Sequence, residues 1–328
     1  MVRLRRATTL GLTMILVATM LVHAQGNRVA TVIQLDPTVG ELPEGLAADT
    51  NGNLYFGLAP TGEIRRLTPS GVVSTLAQLP VPDDGGPHLI GLRFNAGQLF
   101  AAVFSGVAGT HGIWRLSPDG SQQALFAPMP LDTLPNDIQF WQGDMFVSDS
   151  LGGAIWKFTP GGQPFLWMSD PLLLGSPDFP LGLPIGANGM AFQRAPGSAG
   201  GKGFSGPFAY VYVLNTSYGR IVRIPIEPDG AAGAAEVWLE TPGLTGVDGV
   251  TQDSAGNLYV ALVLQDRVVR IGPDRSIVTV AEGAPLDAPA SPEITGRALY
   301  VTNFAVGRAL GLAPGVPAPS IARIDLGG

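Results

Sequence analysis

The chain has 328 residues with 45 Gly, 29 Pro, no Cys and 14% charged residues, and Lys occurs only at Lys157 and Lys202. Gly and Pro at nearly twice their usual share exclude a helical bundle or coiled coil, and the lack of Cys excludes disulfides, thiolate nucleophiles and Cys-based metal centres. A formal charge of −7 with so few Lys makes a poor phosphate binder, so nucleic acid is not an expected partner.

Residues 1–24 read as a signal peptide. Arg3, Arg5 and Arg6 precede an apolar run from Leu10 to Val22, and Val22-His23-Ala24 offers a small-residue cleavage site before Gln25. The run is shorter than the roughly 20 residues a membrane span needs. The mature chain, 25–328, is expected to be a single domain, monomeric, secreted or periplasmic, with no membrane contact after cleavage. It carries 16 basic against 26 acidic residues, a formal charge of −10.

A strand-rich unit then recurs along the chain. Unit one runs from Glu44-Gly45-Leu46 through Leu54-Tyr55-Phe56, Ile64-Arg65-Arg66-Leu67 and Pro69-Ser70-Gly71 to Val72–Leu76. Unit two begins at Ile90-Gly91-Leu92 and contains Ile113-Trp114-Arg115-Leu116. Unit three begins at Asn136-Asp137-Ile138 and contains Ile155-Trp156-Lys157-Phe158. Unit four begins at Asn188-Gly189-Met190 and is lengthened by a Gly/Ser/Ala-rich insertion from Arg194 to Pro207. Unit five begins at Asp248-Gly249-Val250, and unit six contains Leu299-Tyr300-Val301 and Ile321-Ala322-Arg323-Ile324. Four short antiparallel strands per unit, six times over, predict an all-β, six-bladed β-propeller. Unit six lacks a fourth strand, and Val29–Leu35 has no other partner. That N-terminal segment is expected to supply the missing strand and close the ring, so that no exposed edge remains.

In such a ring the first strand of each blade lines the central channel. The equivalent position holds Glu44, Ile90, Asn136, Asn188 and Asp248 in turn, with unit six aligned near Ser291 to Glu293. A carboxylate surrounded by apolar sequence is costly unless it is paired or bound to metal. Two carboxylates and two amide oxygens suit one divalent cation such as Ca, Mg, Mn or Zn. Each of these dipeptides is also an ordinary turn signal. Turn chemistry, however, gives no reason for four of them to fall at one repeat position.

Pro43-Glu44-Gly45, Pro135-Asn136-Asp137, Ala187-Asn188-Gly189 and Val247-Asp248-Gly249 resemble the signature of the gluconolactonase/regucalcin-like (senescence marker protein-like) family, blade by blade. The resemblance implies a lactonase-type hydrolase acting on carboxylic ester bonds of a small-molecule lactone or ester. It implies that Glu44, Asn188 and Asp248 bind the metal, that Asn136 contacts substrate, and that Asp248 is also the catalytic base. Sugar lactonases of this family carry an Arg two residues before the third-blade Asn. Leu134 stands there, which points to a less polar lactone or ester. Two other readings remain open at this stage: a non-catalytic ligand- or protein-binding propeller with a structural metal, and a strictosidine-synthase-like or lyase-type propeller enzyme.

The remaining candidates are expected to be structural. His88 and His111 lie in Gly-rich stretches and read as surface or loop histidines. Ser148-Asp149-Ser150 and Asn215-Thr216-Ser217 read as strand-end turns. The segment Asp170–Ala187 either packs on its own blade or lids the channel. Trp114, Trp156 and Trp238 fall in strand patterns that point to packing between blades.

Overall fold

A computed structural model describes residues 28–194 and 209–327. The expected signal peptide and nearly all of the Arg194–Pro207 insertion lie outside the described residues. Six four-stranded antiparallel sheets are formed, almost without helix. Blade one is built from Pro43–Ala48, Leu54–Leu58, Glu63–Leu67 and Val73–Gln78, hydrogen-bonded in that order, and blades two to five repeat this meander. The innermost strands begin at Pro43, Leu89, Pro135, Ala187, Val247 and Pro289, and each touches the next around a closed circuit. The six-bladed propeller expected from the repeat is the fold observed.

Blade six closes the ring as expected. Its strands run Pro289–Thr295, Ala298–Asn303 and Ser320–Asp325, and the outermost is the N-terminal Val29–Gln34. The register pairs Val29 with Ile324 and Gln34 with Ser320.

The hydrophobic core lies between blades. Tyr55 and Ile64 of blade one share a cluster with Leu99 and Trp114 of blade two. Tyr212 and Trp238 of blade four pack with Leu258 and Val260 of blade five. Trp156 packs against a cluster shared by blades two and three. Each blade therefore buries an apolar face it cannot bury alone, and the expectation for the three tryptophans holds.

Candidate functional site

Every innermost strand carries the same irregularity. Its first residue pairs normally with the second strand, but pairing resumes only at the fourth position, as between Pro43 and Leu46 or Val247 and Val250. A bulge of this kind re-aims the side chains it contains. The second position holds Glu44, Ile90, Asn136, Asn188, Asp248 and, in blade six, Ala290. The sequence alignment of blade six near Ser291 to Glu293 is thus corrected by one to three residues. The blade has no acid or amide to reveal its place, and the bulge makes the register hard to count.

The third position is Gly in four blades because the blades nearly touch there. A Cβ built on Gly45 would lie 2.5 Å from the Ile90 carbonyl oxygen, and one on Gly189 would lie 2.6 Å from that of Asp248. The Gly in the Glu44-Gly45, Asn188-Gly189 and Asp248-Gly249 pairs is therefore a packing requirement. Blades three and six place Asp137 and Ser291 there instead. In both, a hydroxyl from the second strand takes the freed N–H: Ser148 Oγ accepts from Asp137 N at 3.0 Å and Thr302 Oγ1 from Ser291 N at 2.9 Å.

Glu44, Ile90, Asn136, Asn188 and Asp248 all line one cavity of about 150 Å³. The four polar residues are each at most 7% exposed. Asn188 Nδ2 donates to Asp248 Oδ1 at 2.7 Å and to Thr216 Oγ1 at 3.0 Å. Asn136 Nδ2 donates to Ser150 Oγ at 3.1 Å, and Ser150 in turn donates to the Ala187 carbonyl at 2.6 Å. Ser150 and Thr216 each follow the last residue of a second strand. They fasten the two amides and fix which end of each faces away, a role that the turn reading of Ser148–Ser150 and Asn215–Ser217 missed.

The electrostatics are those of charge kept from water. Burial pushes the Glu44 carboxyl well above the usual range, and nearby Asp248 and Asp137 push it further. Burial raises Asp248 to about 7, against the opposing hydrogen bond from Asn188 and with help from Asp137. Glu44 Oε2 is buried with no hydrogen-bond partner. An orphaned, buried carboxylate oxygen costs stability unless a cation meets it. Among the described residues no cluster of three or more His, Cys, Asp or Glu could hold a metal. The donor set instead mixes two carboxylates with amide oxygens. The Asn188 nitrogen is already committed to Thr216 and Asp248, which leaves its carbonyl as the available donor. This all-oxygen set fits a hard divalent cation.

The rest of the cavity is apolar. Its wall includes Ile90, Phe104, Leu134, Leu181, Val263 and Phe304. Leu134 faces the cavity, so the residue that departs from the sugar-lactonase pattern is at the site itself. The Asp170–Ala187 segment packs on the core of blades three and four and also contributes to the cavity wall. Leu173 is buried in the core of blades three and four, while Leu181, Leu183 and Ile185 line the cavity.

Both histidines lie in loops, as the sequence suggested, but the loops turn them inward. His88 is 7% exposed and His111 1%, so neither is on the surface. His88 bonds the Phe104 carbonyl through Nδ1 and Asp84 Oδ1 through Nε2, at 2.8 and 2.7 Å. His111 Nδ1 accepts from Gly106 N, its Nε2 meets Thr133 Oγ1, and burial lowers its pKa. Gly-rich flanks left surface placement open, but hydrogen bonds from neighbouring loop residues hold both imidazoles as internal braces. Neither histidine lines the cavity.

A second polar group went unseen in the sequence. Below the cavity, Arg93, Asp137 and Glu293 line a pocket of about 30 Å³ on the same axis. Arg93 lies 3.6 Å from Glu293 and donates to the Ile138 carbonyl at 3.0 Å. Asp137 Oδ2 accepts from Met190 N and Gln139 Nε2. Burial raises Asp137 and Glu293, with Arg93 opposing the shift in both. The signal was the failure of the third-position Gly pattern at Asp137.

Fold and cavity define a six-bladed β-propeller with a polar group at the floor of an apolar axial chamber. Residues 195–305 match the family model of the SMP-30/gluconolactonase/LRE-like region, and over that stretch the chain is similar to the gluconolactonase/regucalcin-like propellers that the blade motifs resemble. The matched stretch includes Asp248, while Glu44, Asn136 and Asn188 lie before it. Among solved structures, the chain resembles the calcium-binding protein regucalcin from Agrobacterium tumefaciens, with 18% identity over 90% of this chain and 95% of that one and a TM-score of 0.62. It resembles a gluconolactonase from Xanthomonas campestris, with 16% identity over 92% and 90% and a TM-score of 0.63. It also resembles a catalytically inactive virginiamycin B lyase from Staphylococcus aureus, with 15% identity over 89% and 83% and a TM-score of 0.56. At such identities the likeness is one of fold. No curated protein matches the chain.

Proposed function

We propose that the protein is an exported, metal-dependent hydrolase that opens an apolar lactone or related ester. The observation behind this reading is the meeting of Glu44, Asn188 and Asp248 at one end of an apolar cavity, with Glu44 Oε2 left unpartnered. Glu44, Asn188 and Asp248 would hold one divalent cation of the Ca, Mg, Mn or Zn group. Bound there, such an ion supplies Lewis acidity toward a carbonyl and lowers the pKa of a nearby water.

The chain's own residues supply the rest. Asp248 takes a proton at a carboxylate oxygen from the water that adds to the lactone carbonyl. As the ring C–O bond breaks, that proton passes to the departing alkoxide oxygen, and the product is a hydroxy acid. Asn136, held by Ser150, contacts the substrate's polar end. Leu134, Ile90, Phe104 and Phe304 seat its apolar part and keep bulk water out, which strengthens every charge interaction at the floor.

The test is a panel of sugar and alkyl lactones with purified protein. Hydrolysis of alkyl lactones that stops with chelator and returns with a divalent ion supports the reading. Incorporation of one oxygen from labelled water marks hydrolysis, and an unsaturated product would mark elimination and overturn it.

A further inference from the structure

The connection of blade six between Ala298–Asn303 and Ser320–Asp325 supplies one side of the cavity. Phe304, Val306 and Leu310 all line it. The polar residues of the floor are at most 7% exposed, whereas Leu310 is 59% exposed. The cavity therefore runs from Glu44 and Asp248 up to a rim at Leu310. A molecule with its polar end on the floor lays its remaining length past Phe304, Val306 and then Leu310.

The inner part of this wall and the rim are supported differently. Phe304 and Val306 pack with Ala288 and Ala290, and the N–H groups of Phe304 and Ala305 bond the carbonyls of Ala288 and Asp287. Beyond them the ties to the ring thin out. The N–H groups of Ala309 to Ala313 bond only to carbonyls of residues 305–308, within the connection itself. From Val306 to Pro317, among the described residues, every hydrogen bond to another part of the chain is made by one side chain, that of Arg308. The helix Val306–Ala309 is a single turn, too short to hold its own shape, so Arg308 decides where its C-terminal end and Leu310 stand.

Arg308 holds on through a fork. Its Nη2 donates to Asp266 Oδ2 at 2.7 Å, and its Nη1 donates to Asp266 Oδ1 at 3.2 Å and to Asp287 Oδ1. Its Nε donates to the Pro314 carbonyl at 3.1 Å, which folds the connection back on itself. Asp266 lies in the turn between Leu258–Leu262 and Arg267–Ile271 of blade five, and Asp287 lies in the link from blade five to blade six. Both acids are fixed in turn: Asp266 Oδ1 accepts from Ala288 N at 2.8 Å and Asp287 Oδ2 from Ala318 N at 2.7 Å. Buried Asp287 thus secures both ends of the connection, Arg308 near its start and Ala318 near its finish. A planar guanidinium can meet two carboxylates and a carbonyl at once, and a lysine ammonium cannot copy that geometry.

We infer that Arg308 is a positioning residue that fixes the cavity rim at Leu310 and so sets selectivity for the length of the ligand's apolar tail. That the ligand's polar end is a lactone or ester rests on the function proposed above, and the fixing of the rim does not. Short ligands stay beside Phe304 and Val306, which have apolar support of their own. Long ones reach the part of the wall that Arg308 alone ties down.

The experiment compares a methyl-substituted with an octyl-substituted γ-lactam, which keep the ring and tail of a lactone but resist hydrolysis. Calorimetric binding reads tail selectivity without turnover, and steady-state kinetics of the matching lactones read it with turnover. Arg308→Gln/Asp287→Asn, which leaves no buried charge unpaired, should cut the octyl-over-methyl preference about tenfold, with the kinetic loss in KM rather than kcat. Arg308→Lys should lose less. Amide hydrogen exchange in residues 306–313 should quicken in both variants. Arg223→Gln, which breaks an ion pair with Glu236 away from the cavity, should change neither the preference nor that exchange. An unchanged octyl-over-methyl ratio in the Arg308 variants, an equal loss in Arg223→Gln, or unaltered exchange would each overturn the inference. Lactam selectivity that responds to Arg308 in protein that opens no lactone defeats the proposed function alone. Lactone turnover whose length preference ignores Arg308 defeats this inference alone.

Discussion

Asn188 of blade four reaches across to blade five and donates a 2.7 Å hydrogen bond to Asp248, sixty residues further along the chain. This bond opposes the burial that raises the Asp248 carboxyl. Asn188→Ala should therefore raise the Asp248 pKa further and move the acid limb of the kcat/KM–pH profile to higher pH. Loss of a ligand or its orienting partner should also weaken metal binding and lower kcat/KM by about 10- to 100-fold. An unshifted profile with normal metal affinity would remove Asn188 from the site.

Metal-free protein should show an inverted pH response. Asp248 holds its proton to about 7 in the folded chain, against 3.8 when free, and Glu44 is raised in the same direction. Across that window the folded state binds more protons than the unfolded state, so stability falls as pH rises from about 4 to 7. Asp49 and Asp253 are shifted the other way, by the hydrogen bonds of Asn53 and Asn257, and their contribution is lost only below this window. Melting curves of chelated protein should fall from pH 4 to 7. Added divalent ion or Asp248→Asn should flatten the decline.

The cavity wall should set substrate preference. Leu134→Ala and Phe104→Ala each remove apolar surface from a buried chamber. Each should cut kcat/KM for a long alkyl lactone by about tenfold or more relative to the smallest one. A uniform loss across the series would indicate general disruption.

Gly91 tests the packing of the ring. A Cβ at this position would overlap the carbonyl oxygen of Asn136 in the next blade, and the obstacle is backbone. Gly91→Ala should destabilise the protein by about 1–3 kcal/mol and should displace Asn136, raising KM. Melting and steady-state kinetics measured together would separate the two effects.

Removal of residues 29–34 leaves Ser320–Asp325 as an open edge. The melting temperature should fall by about 10 °C or more, with increased aggregation. Unaltered melting would mean that blade six needs only three strands.

Most of the fold was legible because each blade repeats one pattern. Leu-Tyr-Val, Ile-x-Arg-Ile and Pro-x-Gly recur where strands and turns recur, and the missing fourth strand of the last unit pointed to Val29–Gln34. The members of the axial group were legible because the bulge puts one residue per blade in the same place. What stayed hidden was what the repeat does not encode. Ala290 has no polar side chain to betray its register. Arg93 and Glu293 are ordinary charges in strands of separate blades until the ring brings them to Asp137. The burial of His88 and His111 stayed hidden because Gly-rich sequence marks a loop but says nothing of which way the loop folds.

The pairing of Val29 with Ile324 also governs when the molecule can be finished. Five blades are local meanders that can form as the chain emerges, but the sixth joins its earliest described strand to its last. During synthesis Val29–Gln34 must wait, unpaired, until nearly three hundred further residues have been made. Such distant pairing is slow to form. The ring should therefore assemble progressively and lock late, with the open-ended five-blade intermediate as the species most in need of protection from aggregation.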